Sequence, residues 1–157
     1  MSGSRWQDED GSAIIEFIFV ALLVLVPLVY LIVAVAVVQR SRLATTGAAR
    51  DVGRAIATAD AGRERVRADA ALRIALGNQG LKPGDVELRY VSPGGDCQTG
   101  PQQPPTLAAG TEFQVCVIRH QRLPAVPRLL SGRGITTVGR YVVHVDEFRP
   151  LQTRTLR

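Results

Sequence analysis

The stretch DEDGSAIIEFIFVALLVLVPLVYLIVAVAVVQRSR, residues 8–42, decides the fold because it contains one long apolar segment. Residues 17–38 are 22 consecutive residues without a charge. At about 1.5 Å rise per residue they form a helix of roughly 33 Å, enough to cross a bilayer core of about 30 Å. A signal peptide usually has a basic leader and a shorter apolar run, whereas this leader is acidic. The pattern predicts a retained transmembrane helix over residues 12–38.

Glu16 and Pro27 are the two unusual residues of this predicted helix. A charged side chain costs about 2.5–3.5 kcal/mol at the bilayer centre and less near the interface. Glu16 therefore either reaches the headgroups, or is protonated, or has a cationic partner, as ionisable residues inside membranes usually do. Pro27 removes a backbone hydrogen bond, which predicts a helix kink or a packing point at this position.

The helical pattern continues beyond the membrane segment, through a juxtamembrane amphipathic helix over residues 39–62. Its apolar residues recur at near-helical spacing, and arginines occupy the other side. Small residues make the helix narrow enough for close packing against another helix, although it can equally rest on its own domain. The predicted apolar face consists of Leu43, Val52, Ile56 and Ala59.

Residues 63–157 are predicted to form a small α+β domain. A second short helix follows Gly62 and stops at Gly77, with Val66, Ala70 and Ile74, and Leu72 beside them, as its apolar face. From Pro83 the period changes to two, and three alternating segments predict a three- to four-stranded antiparallel sheet, with a bulge near Gly139. The alternating residues are Val86, Leu88, Tyr90, Phe113, Val115, Val117, Val138, Tyr141, Val143 and Val145. Long loops over residues 92–110 and 123–134 join the strands.

Cys97 and Cys116 are the two cysteines of the chain. In a membrane-anchored protein they are expected to form one disulfide, whose loop closure contributes roughly 3 kcal/mol. The alternative is a pair of buried free thiols, because spacing alone does not prove a bridge. With His120 and His144 they show no ligand-pair spacing, so no metal site is predicted.

The net charge of +5 is unevenly distributed along the chain. Residues 1–11 carry −2 and residues 12–38 carry −1, so the remainder carries +5 + 3 = +8. Such a surface suits anionic lipid headgroups, wall polymers or nucleic acid. Eighteen arginines against one lysine, Lys82, indicate a codon bias rather than a selected patch, and no nucleic-acid partner is expected. The sequence has no catalytic constellation or nucleotide motif, so we expect neither an enzyme nor a cofactor.

Two short motifs give the chain a resemblance to a known family. GSAIIEF, residues 11–17, resembles the processing site of type IV prepilins and pseudopilins, in which a glycine precedes four residues, a glutamate and an aromatic residue. AARDVGRAIA, residues 48–57, is similar to the motif that follows the membrane helix in TadE-like proteins of tight-adherence pilus systems. The residues that match this second motif are Ala48, Ala49, Arg50, Gly53 and Arg54.

The resemblance implies a minor pilin or pseudopilin of tight-adherence (type IVb-like) pilus assembly. A prepilin peptidase would cut between Gly11 and Ser12 and leave the leader, residues 1–11, in the cytoplasm. Glu16 would then pair with the new N-terminal amine of a neighbouring subunit and set the register between helices. The implied partners are membrane lipid, other pilins or pseudopilins and platform membrane proteins, with a pilin-like domain outside the cytoplasmic membrane.

Two other readings follow from the same sequence. One is a membrane-anchored binding module whose basic domain contacts the cell envelope. The other is a domain that is secreted after cleavage of a signal peptide.

Overall fold

The computed structural model describes residues 9–121 and 134–147, with only the backbone for residues 9–13. Helix α1 spans Glu9–Ala57 and helix α2 spans Glu64–Gly77. A 3₁₀ turn at Pro83–Asp85 leads into strands β1, Glu87–Val91, β2, Glu112–Gln121, and β3, Ile135–His144. The chain divides into two units, Met1–Val37 and Val38–Arg157, and α1 contributes to both. The architecture is α+β, as the sequence predicted.

The first unit contains the apolar part of α1. Its large hydrophobic side chains are exposed from Ile14 to Val35. Among the described residues, α1 is the one helix that is long and apolar enough to cross a membrane, judged by length and composition. The helix continues through Pro27. The predicted kink at this proline stays a prediction.

The second unit contains an antiparallel sheet in the order β1-β2-β3. The register between β2 and β3 is constant, from Glu112 opposite His144 to Gln121 opposite Ile135. The predicted bulge near Gly139 is therefore wrong, since Gly139 pairs with Val117 in the unbroken ladder. The predicted loop over residues 123–134 lies almost wholly outside the described residues.

One face of the sheet packs on both helices and forms the main core. Val52 and Ile56 from α1 and Leu72 and Leu76 from α2 join one cluster with the alternating residues of β2 and β3. The strand residues are Phe113, Val115 and Val117 of β2 and Val143 of β3, and Val145, just after β3, joins them. Burial of a Val, Leu, Ile or Phe side chain contributes about 1.5–3 kcal/mol, so this cluster is the principal source of stability in the second unit.

The other face of the sheet is covered over β1 and β2 by the loop that follows β1. Cys97 in this loop is bonded to Cys116 on β2, with 5.6 Å between their Cα atoms, which confirms the predicted disulfide. Val91, Ile118 and Val138 pack around the bridge in a second, smaller cluster. The disulfide thus lies inside a hydrophobic layer of its own.

The loop also occupies the outer edge of β1. The Gln103 N–H donates a hydrogen bond of 2.8 Å to the Tyr90 carbonyl oxygen, and Pro104 and Pro105 follow directly. Residues 92–110 therefore cover one face of the sheet and form a backbone hydrogen bond with its β1 edge.

The buried faces of the two helices differ from the prediction. Val52, Ile56 and Ala59 are buried as predicted, whereas Leu43 is 73% exposed. Leu43 precedes Val52 by nine residues, about two and a half turns, and so lies on the opposite side of α1. Ser41, Ala44, Thr45, Ala48 and Ala49 are buried in its place.

Helix α2 buries Leu72 as predicted, in a row with Ala68, Leu76 and Ala75. The predicted Val66, Ala70 and Ile74 are exposed. The helix has two apolar rows, and arginines flank the predicted one. Burying that row would remove these charges from water, which costs several kcal/mol without a partner. The row with the two leucines has the larger apolar side chains, and Arg65 at its N-terminal end stays exposed.

Candidate functional site

The residues of the prepilin-like motif lie at the start of α1. Gly11 and Ser12 are within the helical backbone, and Glu16 is exposed one turn later, where the apolar segment begins. Among residues 9–121 and 134–147, the Glu16 carboxylate forms no hydrogen bond and no ion pair. The predicted contact of Glu16 with a second molecule stays a prediction.

The second motif lies on α1 where this helix meets the sheet. Ala48, Ala49 and Gly53 are buried, while Arg50 and Arg54 are exposed. The motif thus separates into an inner row of small residues and an outer pair of arginines one turn apart. The small residues allow the sheet to approach the helix, and the arginines remain available to a partner.

Gly53 is a contact point between α1 and β3. A Cβ atom at this position would overlap the Tyr141 ring and lie 2.9 Å from Val143 Cγ2. The glycine of the motif is therefore explained by packing within the second unit. By contrast, a Cβ atom at Gly47, also in α1, would meet nothing within 4 Å.

This pair of glycines gives the first testable prediction. Gly53→Ala gains about 1 kcal/mol of helix propensity but costs about 1–3 kcal/mol by overpacking, so we expect a net loss of about 1 kcal/mol. Gly47→Ala, the matched control, gains about 0.5–1 kcal/mol because nothing opposes the added methyl group. Urea unfolding of the full chain in detergent micelles, followed by circular dichroism, measures both. Stabilisation of both variants would contradict the packing role of Gly53.

A second close approach joins α1 to the middle of β3. The Gly139 backbone lies so near to α1 that an added Cβ atom would overlap the Thr45 carbonyl group and the Thr46 nitrogen. Beside it, Ser41 Oγ and Thr137 Oγ1 are hydrogen-bonded at 2.7 Å, and both side chains are buried. Thr45 Oγ1 donates to the Ser41 carbonyl oxygen at 3.0 Å. At this crossing, the backbones of α1 and β3 are therefore in direct contact. The buried hydroxyl groups of Ser41 and Thr137 are hydrogen-bonded to each other beside it.

The face of α1 that points away from the sheet contains Leu43, Gly47, Arg50 and Arg54. Leu43 and the two arginines are exposed, and Gly47 is half-buried. These residues follow one another at three- or four-residue intervals, so they form one continuous row along the helix. We call this row the outer face of α1. It combines an exposed leucine, an open notch at a glycine and two positive charges.

The disulfide loop is held by side chains that the strand pattern did not single out. The Arg89 guanidinium group donates hydrogen bonds to the carbonyl oxygens of Cys97, Gln98 and Gly100. Gln114 Nε2 donates to the Gly95 carbonyl oxygen at 3.1 Å and contacts both disulfide sulfur atoms. Strand alternation predicts only which face of the sheet a residue occupies, so these loop contacts could not be predicted from the sequence.

Asp96 stabilises the turn of the same loop. Hydrogen bonds from the Gln98 backbone N–H, and then from Thr99, lower the pKa of the Asp96 carboxyl group. The group is therefore ionised at neutral pH and acts as a local acceptor for the turn.

An open depression of about 690 Å³ lies between α2 and the proline-rich part of the loop. Its lining includes Tyr90 from β1, Arg65 and Asp69 from α2, and Pro104 and Pro105 from the loop. Burial, and next the charge of Asp69, raise the pKa of the Tyr90 phenol to about 12. The phenol is thus neutral at physiological pH and offers a hydrogen-bonding hydroxyl group rather than a base.

The chain matches no protein-family model, and comparisons with curated proteins and with solved structures likewise find no match. The functional argument therefore depends on the residues themselves.

Proposed function

We propose that this chain is a TadE-like minor pilin or pseudopilin, a single-pass membrane component of tight-adherence pilus assembly without enzymatic activity. The observation that supports this proposal most is α1 itself. One helix contains Glu16 at the start of an apolar segment, and then the motif residues at the point where the helix meets a small sheet domain.

In this proposal, Glu16 acts as half of an intermolecular contact. A carboxylate near the membrane interface is stabilised when a cation meets it, and the amine created by cleavage between Gly11 and Ser12 is such a cation. Since the pair forms only at one axial offset of the two helices, it sets the register of assembly. The outer face of α1 would extend the contact between neighbouring helices beyond the membrane, through the notch at Gly47.

The proposed topology places the N-terminus in the cytoplasm and the second unit outside the cytoplasmic membrane. The buried Cys97–Cys116 bridge supports this, because structural disulfides persist in oxidising compartments and are rare in the cytosol. Arginines that follow the apolar segment oppose this orientation by the positive-inside rule. A long folded segment, however, is translocated largely regardless of its charge.

Glu16→Ala is the experiment that tests this function. In cells that carry the pilus system, we expect normal membrane insertion of the variant and loss of pilus assembly, because the intermolecular ion pair is absent. Membrane fractionation and electron microscopy of surface pili measure the two effects. Asp51→Ala removes an exposed carboxylate from the same helix outside the apolar segment and should leave piliation unchanged. Normal piliation of the Glu16→Ala variant would refute the register role.

Processing is tested separately by mass spectrometry of the membrane-bound chain. We expect a mature protein that begins at Ser12 in cells that have the prepilin peptidase, and the uncut chain in cells without it.

The depression at Tyr90 favours a second candidate function, a membrane-anchored module that binds an envelope component. A phenol hydroxyl, a guanidinium and a carboxylate around an open concavity suit a polyhydroxylated ligand such as a wall glycan. Exchange of residues 14–38 for an unrelated apolar helix separates the two functions. A binding module would keep its function after this exchange, whereas a pseudopilin would lose it.

A further inference from the structure

Helix α2 presents an apolar row to solvent. Val66 and Ile74 are 70% and 67% exposed, and Ala70 between them is exposed as well. Helical periodicity places these three residues on one row about 12 Å long, opposite the buried Leu72. Nothing within the described part of the chain covers this row.

Arginines flank this row on both sides. Arg67 and Arg73 are exposed, and helical geometry places one on each side of the row, while Arg63 stands at its N-terminal end. Neither Arg67 nor Arg73 forms an ion pair among residues 9–121 and 134–147. Asp69 lies one turn before Arg73 and Glu64 lies one turn before Arg67, each on the side of the arginine that is away from the apolar row. We call the row with its arginines the basic face of α2.

A surface of opposite character lies at one end of the sheet. Glu112 begins β2 opposite His144 at the end of β3, and Glu112 Oε1 is hydrogen-bonded to His144 Nδ1 at 2.6 Å. Asp146 and Glu147 follow this strand after Val145. All three carboxylate residues are exposed, and Val142 nearby is 46% exposed. This acidic end therefore combines negative charge with an exposed apolar side chain.

We propose that the basic face of α2 binds the acidic end of the sheet on a second copy of this chain. Guanidinium groups match carboxylates in both charge and geometry, and the apolar row would cover Val142 of the neighbouring copy. Because the two surfaces differ, the contact is head-to-tail and can propagate into a ring or a filament. The inference concerns the folded domain and does not depend on the proposed function of Glu16.

The composition of the basic face favours a protein partner over a lipid surface. Helices that lie in the membrane interface usually insert Trp, Phe or Leu, whereas this row consists of Val66, Ala70 and Ile74. Small aliphatic side chains flanked by arginines suit a packed contact with another protein surface that has carboxylates at its rim. The acidic end of the same chain provides the complementary charge.

The test uses the full chain inserted at one copy per nanodisc of neutral phosphatidylcholine, so that contacts between apolar helices are excluded. We expect the discs to associate through the soluble domain, as measured by sedimentation velocity. Arg67→Glu with Arg73→Glu should weaken this association by about tenfold or more, because like charges then meet. Glu112→Arg with Glu147→Arg should weaken it to a similar extent.

Charge exchange gives the decisive result. An equal mixture of the two double variants should associate again, since each reversed surface then meets an oppositely charged one on the other variant. The matched control, Arg42→Glu with Lys82→Glu, changes the net charge equally at exposed positions elsewhere and should associate like the unmodified protein.

Three results would overturn the proposal. One is a chain that stays monomeric in neutral nanodiscs, and another is a reversed α2 face that leaves association unchanged. The third is binding of the basic face to anionic vesicles alone, without association of copies, which would identify a lipid surface as its target.

Discussion

Gly139→Ala is expected to lower the free energy of unfolding of the second unit by about 3 kcal/mol or more. In an ordinary strand, alanine in place of glycine would stabilise the protein by about 0.5–1 kcal/mol. Here the added methyl group would overlap the α1 backbone at Thr45 and Thr46. Backbone atoms cannot rotate away as a side chain can, so β3 must separate from α1. Such strain exceeds the usual cost of overpacking, about 1–3 kcal/mol.

Urea unfolding of the full chain in micelles and hydrogen exchange of β3 amides measure this effect. We expect faster exchange around the hydrogen-bonded pair Ser41–Thr137, because separation of the strand also breaks this buried contact. Arg140→Ala, at the adjacent exposed position of β3, is the control and should change stability by less than about 0.5 kcal/mol. A Gly139→Ala variant as stable as this control would show that α1 and β3 do not approach as described.

Removal of the disulfide is the second change with a large expected effect. Cys97→Ala with Cys116→Ala should destabilise the second unit by about 3 kcal/mol, because the bridge closes a loop with a sequence separation of 19. Alanine is preferred to serine in this test, since both positions are buried and a hydroxyl group would lack a partner. Urea unfolding under oxidising conditions measures the difference from the unmodified protein.

Two controls separate the bridge from the packing around it. A reducing agent should destabilise the unmodified protein and leave the double alanine variant unchanged. Because Arg89 and Gln114 also hold the loop, we expect the unfolding transition to remain cooperative after the bridge is removed. Equal stability of the oxidised and reduced proteins would contradict a structural role for the disulfide.

The elements of the fold could be predicted because each has a distinct period. Alternation identified all three strands, and the length of the apolar segment identified α1. The burial of Val115, Val117 and Val143 could be predicted, because alternation along a strand places every second side chain on the same face of the sheet. The disulfide was predictable for a different reason, since a two-cysteine chain has only one possible pairing.

The faces of the helices were harder to predict because small residues give a weak hydrophobic signal. The inner row of α1 consists of residues such as Ser41, Ala44, Thr45 and Ala48, none of which is strongly apolar. Approximate helical spacing predicts Leu43 on the apolar face, although its offset of nine residues from Val52 places it on the opposite side of α1. Close approach of two backbones depends on small volume rather than on hydrophobicity. The sequence shows the glycines, and the structure shows which backbone lies beside them.

The same reason limits what could be predicted about the candidate site. Ala48, Ala49 and Gly53 were recognised as part of one motif with Arg50 and Arg54. The division of this motif into a packing row and an exposed pair became visible only with β3 in place. The alternation shifts between Val138 and Tyr141, which predicts a bulge near Gly139. The contact of Gly139 with α1 could not be predicted, because the two positions are far apart in the sequence.

The hydrogen bond between Gln103 and Tyr90 has a consequence for solubility. An uncovered strand edge is a template for the addition of a foreign strand, which is a common route to aggregation. Gln103 uses one acceptor on the edge of β1, and the two prolines that follow have no N–H group to offer an incoming strand. The chain therefore blocks uncontrolled growth of its own sheet beyond β1.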